Sequence, residues 1–294
     1  MRRSAGGWVV AICTLVVCPL GSALGGALDL SLDSVVDISG LGFNSVGGAA
    51  FDNTTGRLWL SDSTGTAIAT NLVVEIDPTT GAVVSSFDAS IVPNLNSGAD
   101  AIAIDPASKN LFLFSSFGES AAGEVTQTGS LVQGFAGSND AGAATFSPGG
   151  TLYTLRQDNG ELQRIDPTTG AVLSAMPLVG YAGRISAADF DPVSGNLFAY
   201  GDATDELLEI DVNTATVLST TDVSGFLLAS AFPTGFAFNA DGSKLFLGRG
   251  TGAGAAGLIV LNVAQTVAPE PASATLYAIF AATMMAAIVL RRRA

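Results

Sequence analysis

Glu75-Ile76-Asp77-Pro78-Thr79-Thr80-Gly81-Ala82-Val83 and Arg164-Ile165-Asp166-Pro167-Thr168-Thr169-Gly170-Ala171-Val172 are nearly the same peptide, 89 residues apart. Each reads as the turn of a β-hairpin. Proline presets φ, the aspartate accepts hydrogen bonds from the amides that follow, and glycine takes the positive φ that reverses the chain. A degenerate copy, Glu209-Ile210-Asp211-Val212-Asn213-Thr214, and a looser one, Gly123 to Val132, bring the hairpins of this kind to four.

A second hairpin precedes each of these. An apolar strand ends in Asp, Asn or Ser, a short turn follows, and the next strand opens with Leu and an aromatic. The five copies are Ala49-Ala50-Phe51-Asp52 with Leu58-Trp59, Ala103-Ile104-Asp105 with Leu111-Phe112, Thr145-Phe146-Ser147 with Leu152-Tyr153, Asp189-Phe190-Asp191 with Leu197-Phe198, and Ala237-Phe238-Asn239 with Leu245-Phe246. Two hairpins returning every 40 to 55 residues predict four antiparallel strands per repeat, joined as a meander. That unit is the blade of a β-propeller. A β-sandwich also has short strands and turns, but it need not repeat itself. In the fifth copy the chain passes from Leu258–Val263 into a proline-containing tail without a fourth strand. Leu28 to Ile38 alternates like a strand and has no partner of its own. It is expected to complete the last blade and leave no open sheet edge. The fold expected is therefore all-β: a propeller of five four-stranded blades spanning 26–264, closed by an N-terminal strand. These blades loosely resemble the propellers of the YVTN and NHL type. That resemblance implies a fold and carries no activity.

The two ends of the chain read as an address. Arg2-Arg3, the apolar stretch Trp8 to Leu20 and the small residues Gly21 to Ala27 form a signal-peptide pattern, residues 1–25. Cys13 and Cys18 both fall inside it, so the mature protein would be free of cysteine. At the other end stand Pro269-Glu270-Pro271, 17 apolar or small residues from Ala274 to Leu290, and Arg291-Arg292-Arg293. The apolar run has the length of a short membrane-spanning helix (274–290), and the arginines after it favour the cytoplasmic side. Residues 265–294 resemble the PEP-CTERM sorting domain of Gram-negative bacteria. The resemblance implies that an integral-membrane exosortase recognises Pro269 to Pro271 and cuts near it. The secretion machinery would first leave an inner-membrane-anchored intermediate with its body in the periplasm. The body would then pass to the cell surface or the extracellular matrix, with exopolysaccharide or an envelope protein as its partner.

Between the two segments the body carries seven Lys or Arg against 25 acids, a net charge of −18. Such a surface repels phosphate backbones and argues against nucleic acid as a partner. The sequence contains no histidine, which removes Ser-His-Asp and Cys-His catalysis and imidazole metal sites. No Walker loop or dinucleotide fingerprint occurs either. On the strands expected to line the channel, one column reads Gly47, Asp100, Gly142, Ser186, Thr234, and a later one reads Ala50, Ala103, Thr145, Asp189, Ala237. The column between them, Gly48, Ala101, Ala143, Ala187 and Gly235, is small throughout, as crowding at an axis demands. Asp100 and Asp189 are the only carboxylates in these columns. They are the catalytic candidates if the protein is a secreted hydrolase or lactonase, since a retaining glycosidase needs only two carboxyls. Asp202, Asp205 and Glu206 form an acidic loop between second and third strands and are the candidates for Ca²⁺, which takes six to eight oxygens. Asp62 to Thr66 is a similar loop, and Asn53-Thr54-Thr55, formally a glycosylation sequon, reads as a turn. The expectation overall is a non-enzymatic binding or scaffold protein without a cofactor.

Overall fold

In a strand, successive side chains point to opposite faces, so the Leu-aromatic pair opening the second strand of each repeat serves two different layers. In the computed structural model, which describes residues 27–43, 45–62, 71–95, 98–116, 121–136, 140–227, 233–249 and 257–264, this is how the blades are joined. The signal-peptide pattern and the sorting tail lie outside the described residues.

Blade one consists of β2 to β5 (Val46–Asp52, Arg57–Asp62, Leu72–Ile76, Val83–Asp88), and it follows β1 (Asp29–Asp37). Blade two consists of β6 to β9 (Ala101–Ile104, Leu111–Phe114, Ala121–Val125, Leu131–Ala136), and blade three of β10 to β13 (Ala141–Phe146, Leu152–Arg156, Leu162–Ile165, Val172–Met176). Blade four holds β14 to β17 (Ile185–Phe190, Leu197–Gly201, Glu206–Asp211, Thr216–Asp222), and β18 to β20 (Pro233–Phe238, Lys244–Arg249, Gly257–Ala264) are the last described strands. Four sheets run in plain sequence order; the fifth has the order β1-β20-β19-β18. The N-terminal strand thus closes the last blade, antiparallel to β20 from Asp29↔Ala264 to Asp37↔Gly257, as the unpaired alternation of Leu28 to Ile38 predicts. Lys244 clamps the junction, its Nζ lying 2.9 Å from Asp33 and 2.7 Å from Asn262 Oδ1. Inner strands β2, β6, β10, β14 and β18 neighbour one another around the axis, and β18 meets β2 again.

Five apolar clusters fill the five seams between blades. Leu58, Leu111, Leu152, Leu197 and Leu245 are fully buried, each in the seam toward the preceding blade. The aromatic beside each of them, Trp59, Phe112, Tyr153, Phe198 or Phe246, packs into the next seam. Every seam is therefore built from an aromatic of one blade and a leucine of its neighbour. Burial of such side chains is worth about 1.5–3 kcal/mol each. No blade can bury its own apolar residues, and the ring stands or falls as a unit.

Near the axis the limit is steric. A Cβ on Gly48 would sit 2.7 Å from the Ile102 nitrogen, and one on Gly235 2.6 Å from the Ala49 nitrogen. This is why the middle channel column is small. We expect Gly235→Ala to lower unfolding free energy by about 1–3 kcal/mol through overpacking against immovable backbone. Gly40→Ala, with open space around it, should stay within about 0.5 kcal/mol of the parent in the same urea titration.

Candidate functional site

All five inner strands run the same way, so their C-terminal ends and first-hairpin turns gather at one mouth of the channel and their N-terminal ends at the other. The C-terminal mouth is the wide one, a cavity of about 180 Å³ lined by Asp52, Thr145, Ser147, Asp189 and Asn239 among apolar neighbours, with Lys109 its one basic residue. The N-terminal mouth is a slot of about 10 Å³, room for roughly one water, with Asp100, Ser186 and Thr234 around it.

Asp189 bridges three blades. One carboxylate oxygen accepts from the Thr145 hydroxyl on β10 (2.9 Å) and from the amide of Phe190 on its own strand (2.9 Å). The other accepts from the amide of Phe238 on β18 (2.9 Å). An inner strand has no neighbour to take its channel-facing amides, and an unpaired buried amide is costly. The carboxylate supplies that partner for two of them. Asp189 keeps some accessible surface on the mouth side, yet the ring encloses it closely enough for burial to push its carboxyl up to about 6, against the pull of the Phe238 amide and the Thr145 hydroxyl.

Asp100 sits elsewhere. In four blades the register slips by one residue at the start of the inner strand, and the residue skipped is Gly47, Gly142, Ser186 or Thr234. Ser186 and Thr234, skipped at two of these β-bulges, border the narrow mouth. Asp100 occupies the same column in blade two, is buried, and accepts from the Ser116 amide at 2.6 Å. It stands three positions before the Asp189 column, about 10 Å along a strand. A retaining pair of carboxyls is about 5–5.5 Å apart. The structure thus does not bring the two candidates together; they belong to opposite mouths.

The acidic loop of blade four is likewise divided. Asp202 turns inward and accepts from the Ser186 hydroxyl, with Arg184 3.9 Å away, and burial pushes its carboxyl upward. Asp205, in the left-handed backbone region at φ 53°, accepts from the Tyr200 hydroxyl. Glu206 is already the first residue of β16 rather than a loop residue. Among the described residues no group of three acidic, His or Cys side chains converges as a metal site. Asp62 is a buried strand end accepting from the Ser45 amide at 3.3 Å, and residues 63–66 lie outside the described residues. Asp52 accepts from the Thr54 amide and the Thr55 hydroxyl, so the sequon-like triplet is a turn.

That turn recurs around the ring. Asp105 and Asp191 accept from the amide two residues on in first hairpins, and Asp77, Asp166 and Asp211 do so in second hairpins. The amides of Thr79, Thr168 and Asn213 hold Asp77, Asp166 and Asp211 below the usual carboxylate range. Sequence alone shows the aspartates of these turns. The Thr145–Asp189 contact was also within reach, because both residues fall in one column of adjacent repeats. The Phe238 amide was not, because a strand's sequence does not say which of its amides faces the channel.

Repeated meander blades around a narrow axial channel define a five-bladed propeller with small mouths. The chain belongs to the family described as a repeat of unknown function, DUF6923, whose profile matches residues 119–283. No curated protein sequence matches it. Among solved structures, the glutaminyl cyclase of Myxococcus xanthus is similar at a TM-score of 0.61 and 15% identity, over 81% of this chain and 99% of that one. The hydrazine synthase of Kuenenia stuttgartiensis is similar at a TM-score of 0.46 and 15% identity, over 70% of this chain and 56% of that one. Both neighbours are named as enzymes, and the likeness to the first, at 15% identity, is one of fold.

Titration of Asp189 has a definite sign. Its folded pKa of about 6 lies above the ordinary 3.8, so its stabilisation is complete below about pH 4 and is lost as pH rises through 6. The shift corresponds to at most about 3 kcal/mol, less whatever water at the mouth screens. The turn aspartates work the other way, losing stabilisation as pH falls below the carboxylate range. We expect the difference in unfolding free energy between the parent and Asp189→Asn to shift in the parent's favour as pH goes from 7 to 4. A constant difference across that range would contradict the burial of this group.

Proposed function

We propose that this chain is an exported, non-enzymatic propeller with a binding or scaffold role at the cell envelope or in the surrounding polysaccharide matrix, delivered there through its C-terminal segment. The observation that carries the non-enzymatic reading is the state of the two channel carboxylates. Asp189 already receives three donors and Asp100 lies at the other mouth, so these two do not form a carboxyl pair for acid-base or nucleophilic work. Many of the remaining acids staple turns, a structural use that leaves the body strongly anionic and soluble.

The delivery reading rests on the order of Pro269-Glu270-Pro271, the apolar run and Arg291 to Arg293. The prolines keep the motif extended and the arginines orient the run. Replacing Pro269 and Pro271 by alanine, or deleting Arg291 to Arg293, is expected to move the protein from the surface or medium fraction to the inner-membrane or periplasmic fraction. Fractionation unchanged in both variants would overturn the delivery reading.

A hydrolase is the second reading, favoured by one observation: a carboxyl held at about 6 facing a 180 Å³ cavity has the properties of a general acid or base. Lactone and glycoside turnover by the purified protein that vanishes in Asp189→Asn, with folding intact, would establish it. On the binding or scaffold reading no turnover appears in either form.

A further inference from the structure

The outer strands carry a feature the ring itself does not need. In β5, β9, β13 and β17 the register with the preceding strand slips at the same place, just after the second hairpin turn, and the residues skipped are Val84, Val132, Leu173 and Leu218. All four are large aliphatics with 42–55% of their surface exposed, and Val83 and Val172 beside two of them are exposed as well. A bulge on an edge strand is an ordinary guard against edge-to-edge pairing, and the residue usual in that role is charged or polar. Blade five follows the usual form: the residue skipped in β1 is Asp33, paired with Lys244. Four exposed aliphatics in the four equivalent places therefore form a crown of apolar contacts.

Topology puts the crown on one face. Second-hairpin turns lie beside first-hairpin turns, as the Arg57–Asp77 ion pair in blade one records, and the first-hairpin turns line the wide mouth. The chain leaves that same face: Ala264, the end of β20, lies opposite Asp29, and the neighbouring Val263 amide bonds to Ser243 O in the first-hairpin turn of blade five. Ten residues further on begins the apolar run Ala274 to Leu290. Ten extended residues reach at most about 35 Å. A run at 274–290 that spans the bilayer would hold the body within about 35 Å of it, tethered from this face.

We propose that the wide-mouth face docks on the lipid surface while the chain is anchored, with Val84, Val132, Leu173 and Leu218 entering the interface. The proposal rests on the reading of residues 274–290 as membrane-spanning. Aliphatic side chains gain from the headgroup boundary in proportion to the apolar area they bury there. The turn acids Asp77, Asp166 and Asp211 stand beside the crown, so the favoured surface is zwitterionic and an anionic one repels this face. Docking also covers the wide mouth until the tail is cut.

The test uses the full chain with Cys13 and Cys18 changed to serine, in phosphatidylcholine vesicles. A fluorophore is placed at Val132→Cys or, on the opposite face, at Ile91→Cys. Flotation reports anchorage and iodide quenching reports contact. We expect the protein to float, with quenching at position 132 several-fold weaker than at 91. The protection should weaken when phosphatidylglycerol is added and disappear in the triple variant V84E/L173E/L218E. Equal quenching of both positions in floated protein overturns docking and leaves anchorage standing. Failure to float overturns both readings. Protection at 132 that is lost on dilution to one chain per vesicle identifies a second copy as the occupant and overturns the lipid proposal.

Discussion

Everything in this ring depends on β1 reaching β20. A blade here is apolar on both faces, and each seam takes an aromatic from one side and a leucine from the other. An incomplete fifth blade would leave the seam between blades five and one half-covered, with Phe43, Val46 and Phe246 at its margin, and would expose β20 as an edge. Pairing of eight residues of β1, reinforced by the Lys244 clamp to Asp33 and Asn262, removes both defects at once. The two ends of the domain are joined by hydrogen bonds in place of a disulfide, consistent with the absence of cysteine between residues 19 and 294.

Acidity is tolerated because the carboxylates are divided between two environments. Those in turns accept amides that the reversing chain would otherwise leave unpaired, and stay ionised at low cost. Asp189 and Asp202 instead sit where burial opposes charge. Asp189 joins three of the five inner strands through its two oxygens, so it acts on the ring as a staple at the wide mouth.

The ring is also polar in the geometric sense. One face gathers the hairpin turns, the wide mouth, the aliphatic bulges and the exit of the chain; the other gathers the second-to-third strand loops, the narrow slot and Asp100. This polarity follows from an even number of antiparallel strands per blade. The third strand must run with the first, and a chain that ends on a third strand must leave from the face of the first turn.

Much of the architecture was legible from local chemistry. The Asp-Pro-x-x-Gly turns, the Leu-aromatic pairs and the orphan strand Leu28 to Ile38 each have a physical reading that needs only near neighbours, and together they specify blades, count and closure. The small column Gly48, Ala101, Ala143, Ala187, Gly235 was equally readable, since crowding at an axis leaves room for no side chain larger than a methyl group and for none at Gly48 and Gly235. The candidate site was legible in composition and not in geometry. Asp100 and Asp189 could be picked out as the carboxylates of the channel columns, and their three-residue offset is in the sequence; that the offset places them at opposite mouths depends on how the inner strands run around the ring. Asp202, Asp205 and Glu206 fall within five residues of sequence, yet strand pairing and burial turn them to Ser186, to Tyr200 and into β16. The sequence by itself determined which residues turn, which are buried and which strand closes the ring, because turn chemistry and alternation act over a few residues. Tertiary structure alone decided which amides Asp189 satisfies and which face the aliphatic crown shares with the chain's exit, because those relations join residues from different blades.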